Sequence, residues 1–130
     1  MAIIKDLRKI FQALILTVLI SSIFTGCGYD KNVMVVRDGT LYAAPDVPIG
    51  KAFDKFFKNG EWKSFKSKDN KTIVEFTGDC TLYNETSKMT FQFIVQKQEF
   101  TLSYVELNGT ALDEVERLGI IGMVLEVYRH

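Results

Sequence analysis

Met89-Thr90-Phe91-Gln92-Phe93-Ile94-Val95-Gln96 is the stretch that decides the fold. Side chains of an extended chain alternate between two faces, so Met89, Phe91, Phe93 and Val95 fall on one side and Thr90, Gln92 and Gln96 on the other. A strand with one apolar face belongs in an antiparallel sheet that is covered on that face. Downstream, Lys97-Gln98 turns the chain, and Phe100, Leu102 and Tyr104 repeat the pattern through Leu107. Upstream, Asn84-Glu85-Thr86-Ser87 reads as a turn, with Cys80 to Tyr83 continuing an earlier strand. Trp62 to Phe65 and Lys71 to Thr77 flank the turn Ser67-Lys68-Asp69-Asn70 as a further hairpin. Gly78 marks a bulge or a close approach of backbone.

Helical periods frame these strands. Ile49, Phe53, Phe56 and Phe57 share one face, which predicts a helix over Gly50 to Asn59, with Asn59-Gly60 as a left-handed stop. A closing helix is predicted over Thr110 to Tyr128. Thr110 and Asp113 fit a capping arrangement, and Asp113, Glu114 and Glu116 sit where the helix dipole favours negative charge. Its stripe of Leu112, Val115, Leu118, Ile121, Leu125 and Tyr128, widened by Ile120 and Val124, is expected to pack on the sheet. Near the start, Val33-Met34-Val35-Val36 and Thr40-Leu41-Tyr42 around Arg37-Asp38-Gly39 read as a small hairpin. Ala44-Pro45-Asp46-Val47-Pro48 is a connector, because proline removes donors and restricts its neighbours. The expected class is α+β, with an antiparallel sheet of about four to six strands packed against a short N-terminal helix and a longer C-terminal helix.

Composition sets the outer bounds. The 130 residues, 47% of them hydrophobic and 25% charged, match a chain that builds one packed core rather than a disordered or polytopic one. Sixteen basic residues balance sixteen acidic ones, so the chain lacks the positive field with which nucleic-acid binders collect phosphates. No nucleic-acid partner is expected.

The first residues follow a different logic. Lys5, Arg8 and Lys9 precede an apolar run from Ile10 to Phe24, the layout of an export signal. The run is short of the roughly 20 residues that a membrane-spanning helix needs. The next residues, Phe24-Thr25-Gly26-Cys27, resemble the lipobox of bacterial lipoproteins, although Phe24 stands where leucine is usual. The resemblance implies a signal peptide over residues 1–26, cleavage after Gly26 and acylation with palmitate-type chains at Cys27. It further implies a lipidated tether over 27–32, a domain over 33–130, and a place in the cell envelope, on the cell membrane or the outer membrane. The competing reading is an uncleaved signal anchor with Cys27 a bystander. Removal of the signal leaves 13 basic and 15 acidic residues.

A second resemblance covers the rest. Val47-Pro-Ile-Gly-Lys-Ala-Phe-Asp-Lys-Phe-Phe57, Trp62-Lys-Ser-Phe65, Val74-Glu-Phe-Thr-Gly78, Phe91-Gln-Phe93 and Val105-Glu-Leu-Asn-Gly109 are similar to a small domain of uncharacterised, often membrane-tethered bacterial proteins. The resemblance implies a fold and carries no catalytic residue with it. Zinc-ribbon segments accompany that domain elsewhere, but the cysteine pairs such a ribbon needs are not in this sequence.

Chemistry-bearing residues are sparse. His130, the single histidine, ends the chain, where a catalytic triad has no rigid support. No spacing suits a metal, and no glycine-rich loop suits a phosphate cofactor, so none of these groups is expected. Cys80 reads as a small buried hydrophobe, with a redox, metal or intermolecular disulfide role as its alternative. Lys63, Lys66, Lys68 and Lys71 cluster on one hairpin, either as solvated edge protection or as a contact for anionic headgroups or cell-wall polymers. Two functions follow. One is a membrane-anchored binding or interaction module that meets another envelope protein. The other is an enzyme or small-ligand carrier with a pocket between sheet and closing helix, using Tyr83, Tyr104 or Cys80 as polar handles.

Overall fold

A computed structural model describes residues 28–130. Gly26 and Cys27, and with them the signal segment, lie outside the described residues. The elements are α1 (Lys31–Asp38), α2 (Ile49–Phe56), β1 (Lys58–Lys66), β2 (Thr72–Leu82), β3 (Glu85–Gln96), β4 (Glu99–Leu107), β5 (Thr110–Ala111) and α3 (Glu114–Arg129). The strands form one antiparallel meander in the order β1-β2-β3-β4-β5, and the class is α+β.

The alternation in β3 does what its pattern requires. Met89, Phe91 and Phe93 are fully buried, and their partners across β2 are Gly78, Phe76 and Val74. Helix α2 covers this face. Phe53 is fully buried, with its ring 4.9 Å from those of Phe76 and Phe91 and 5.6 Å from that of Trp62. Tilted and edge-on aromatic contacts of this kind add to the stabilisation from burial alone. Gly78 is a close approach and also stands opposite a bulge in β1. Its register with Met89 is regular, and a Cβ there would come within 2.7 Å of Phe76 and 2.9 Å of Phe57. β1 carries one extra residue between Lys58 and Glu61, opposite Gly78, and β4 accommodates Ser103 opposite Gln92/Phe93.

Several boundaries differ from expectation. Lys31–Asp38 is a helix where a hairpin was expected. Asp30 caps it by accepting a 2.8 Å bond from the Val33 amide, and burial of Val33 and Val36 at a spacing of three fixes the helical period. Tertiary burial thus overrides the β preference of three valines. Arg37 ties α1 to α2 through a two-pronged contact to Asp54 at 3.0 and 2.7 Å, which raises the guanidinium pKa. Asn59-Gly60 lies inside β1, and α2 ends at Phe56. The left-handed Asn59 (φ 56°) serves the irregular start of the strand. The β2–β3 turn is Tyr83-Asn84, both with positive φ, a two-residue connection whose twist matches the flanking strands.

The closing helix begins at Glu114, since Thr110–Ala111 pairs with β4 as β5. Its cap is one turn later than expected: the Asp113 carboxylate accepts from the Glu116 amide at 2.8 Å, and Glu116 accepts from the Asp113 amide at 3.0 Å. The helix packs along α2 more than on the sheet. Ile121, Val124 and Leu125 enter the core, while Val115 and Leu118 face outward.

Candidate functional site

The meander decides which loops meet. Consecutive strands run in opposite directions, so the β1–β2 and β3–β4 turns lie at one end and the β2–β3 and β4–β5 turns at the other. The first end carries the lysines. Its β1–β2 turn is braced by the Ser67 amide donating to the Lys71 carbonyl at 2.9 Å, the Asn70 amide to the Ser67 carbonyl at 2.9 Å, and the Lys71 amide to Ser67 Oγ at 3.0 Å. Asn70 takes the left-handed conformation (φ 63°) that lets the turn close.

The structure divides the lysines singled out from the sequence. Lys63 Nζ lies 3.3 Å from Glu75 on the open face of the sheet, away from the turn. Lys66 donates to Thr72 Oγ1 at 2.7 Å, Lys71 stands 3.4 Å from Asp69, and Lys68 is exposed at the tip. The Asp69 carboxyl is held below its usual range by the Ser67 hydroxyl, with Lys71 adding to the effect.

Two further lysines join them that sequence proximity does not reveal. Lys31, from the start of α1, and Lys97, from the β3–β4 turn, line a cleft of about 650 Å³ together with Asp38, Thr72 and Val95. Lys66 and Lys71 line a second cleft, of about 510 Å³, which shares Thr72 and Val95. Thr72 and Val95 are cross-strand partners, so one pair of residues forms the ridge between two basic clefts. The signal for Lys97 was present in the strand order: in a meander alternate turns come together. Lys31 carries no such signal, because it falls in the polar stretch 27–32 that a tether would occupy.

The chain enters the domain at this same end. Asp30 caps α1, and the Ser64 hydroxyl donates to its other carboxylate oxygen. Burial opposes ionisation of Asp30, but the bonds from Ser64, Val33 and Asn32 outweigh it and hold the carboxyl below its usual range. Tyr29 is also fixed, its ring 4.6 Å from the Arg37 guanidinium.

The polar handles considered for a ligand pocket lie apart. Cys80 is buried on the core face, and burial, with Asp79 nearby, pushes its thiol pKa up, which disfavours the nucleophilic thiolate. Tyr104 is a neighbour of Gln92 on the opposite face and donates to Glu106 at 2.6 Å. Tyr83 stands fully exposed on the β2–β3 turn. Among the described residues no group of three His, Cys, Asp or Glu side chains is placed to hold a metal ion, and no helix is long and apolar enough to cross a membrane. No protein-family model matches the chain, and no curated protein or solved structure matches it significantly.

Proposed function

We propose that the protein is an envelope lipoprotein, held on the cell membrane or the outer membrane by acyl chains on Cys27, whose α+β domain acts as a binding or interaction module for another envelope protein. The observation that carries this reading is the arrangement around Cys27. Lys5, Arg8, Lys9 and an apolar run precede Thr25-Gly26-Cys27, and three residues later Asp30 caps the first helix. The only other cysteine in the sequence, Cys80, is buried in the core, where a thiol is poorly placed to meet an acyl donor. More than one chain on that thiol makes anchoring stable, whereas a single chain gives marginal binding. The filled aromatic core favours recognition by surface over recognition in a deep pocket.

Metabolic labelling with a clickable palmitate analogue tests the anchor. The Cys80→Ser variant retains label and Cys27→Ala loses it; label persisting in Cys27→Ala overturns the reading.

A further inference from the structure

The basic end and the point of chain entry coincide, and the acidic side chains gather elsewhere. Around the entry point stand Lys31, Lys66, Lys68, Lys71 and Lys97, all exposed. Asp30 at this end is committed to the α1 N-terminus and Ser64, and Asp69 to Ser67 and Lys71, while Asp38 lines the cleft of Lys31 and Lys97 and Glu99 stands beside Lys97, so the lysines outnumber the acidic groups there without excluding them. Among the described residues, Lys31, Lys66, Lys68 and Lys97 form no ion pair. The far end, where β2 turns into β3 and β5 leads to α3, carries Asp79, Glu85, Glu106, Asp113, Glu114 and Glu116 against Lys58 and Lys88. A domain with formal charge near balance is thus polarised along its strands.

We propose that the basic end seats on the anionic phospholipid headgroups of the membrane that holds Cys27, so that the domain stands with its acidic end outward. This rests on the lipid-anchor reading above. The occupant follows from the length of the link. Asp30 is held by its cap, with Tyr29 packed on Arg37 just before it, so Cys27 lies three residue steps from the capped residue. Fully extended they reach about 10 Å, which is close to the screening length at about 0.1 M salt. Lys31, the next residue after Asp30, therefore remains inside the headgroup field for as long as the anchor holds, and the cleft that it lines with Lys97 faces the same way. Each lysine in such a field favours the seated orientation by about fivefold, and the acidic end is repelled. Seating leaves Tyr83, the β4–β5 turn and the start of α3 accessible to a partner.

The test uses the full-length acylated protein in vesicles of phosphatidylcholine alone or with about 30% phosphatidylglycerol, an anionic fraction that supports polybasic binding. Amide hydrogen exchange is read at the two basic turns, Ser67–Lys71 and Lys97–Gln98, with Tyr83–Asn84 and Asn108–Gly109 as internal references. We expect exchange at the basic turns to slow by about fivefold or more on the anionic vesicles only, with the references unchanged. The effect disappears at about 0.5 M salt, where screening shortens to a few ångströms. It also disappears in Lys31→Gln/Lys68→Gln/Lys97→Gln, whose near-ultraviolet circular dichroism reports that the fold is intact. Equal exchange on both vesicles, with the protein still co-sedimenting, overturns the orientation and leaves the anchor standing. Failure to co-sediment with either vesicle overturns the anchor and the orientation with it. Equal slowing on neutral vesicles by added soluble polyphosphate identifies a polymer-binding surface instead and also overturns the proposal.

Discussion

Replacing Phe53 by alanine empties the point at which helix α2 meets the sheet. The ring is fully buried and touches five others: Phe57, Trp62, Phe76, Phe91 and Phe93, at centroid distances of 5.4, 5.6, 4.9, 4.9 and 6.3 Å. These neighbours belong to β1, β2 and β3 and to the link that follows α2, so inward collapse around the cavity would have to move several elements together. The loss should therefore lie in the upper part of the range for such truncations, about 3–5 kcal/mol. A domain of this size is stable by about 5–15 kcal/mol, so Phe53→Ala removes a large share of the total. At about 4–8 °C per kcal/mol the midpoint falls by roughly 12–40 °C. Urea unfolding of the full chain, followed by circular dichroism at constant slope, measures the loss directly. Val115→Ala, on a side chain 79% exposed, is the control and should stay within about 0.5 kcal/mol. A Phe53→Ala loss below about 1.5 kcal/mol would refute the placement of this ring at the centre of the core.

Two further outcomes follow from the same packing. Asp113→Ala should cost about 1 kcal/mol by removing the cap of α3, whereas Thr110→Ala, outside the helix, should cost less than half of that in the same urea titration. Glycine substitutions should differ in sign: Gly78→Ala forces a Cβ against Phe76 and Phe57 and destabilises by about 1–3 kcal/mol, while Gly119→Ala, where nothing lies within 4 Å, stabilises α3 by about 0.5–1 kcal/mol. A thermal midpoint that rises in Gly78→Ala would contradict the packing described for Gly78, and one that falls in Gly119→Ala the open space described for Gly119.

The parts of the fold that sequence made legible are those in which one physical constraint dominates. Met89–Gln96 alternates because a single face is buried, and a period of two has one interpretation. The Phe53 face of α2 was legible for the same reason. Val33-Met34-Val35-Val36 has no period at all, being apolar throughout, so its helix depends on the Asp30 cap and on which valines meet the sheet. The start of α3 was misplaced because Thr110 and Asp113 each suit a cap, and the choice between them is made by pairing of Thr110 with Leu107 across the β4–β5 turn. The candidate surface was half legible. Lys66, Lys68 and Lys71 are neighbours in sequence, but Lys97 joins them through the order of strands and Lys31 through the path of the entering chain. Lys63, adjacent in sequence, is drawn away by Glu75 on the other strand.

The position of α2 before every strand that it covers has a consequence for how the chain becomes compact. Synthesis delivers α1 and α2 first, when Phe53 and Phe57 have no sheet to rest on, because Phe76, Phe91 and Phe93 follow later in the chain. The meander itself can zip by local hairpins, which form within microseconds once their residues are available. Closure over Phe53 must wait for β2 and β3. Completion of the core is thereby set by the middle of the chain rather than by its start.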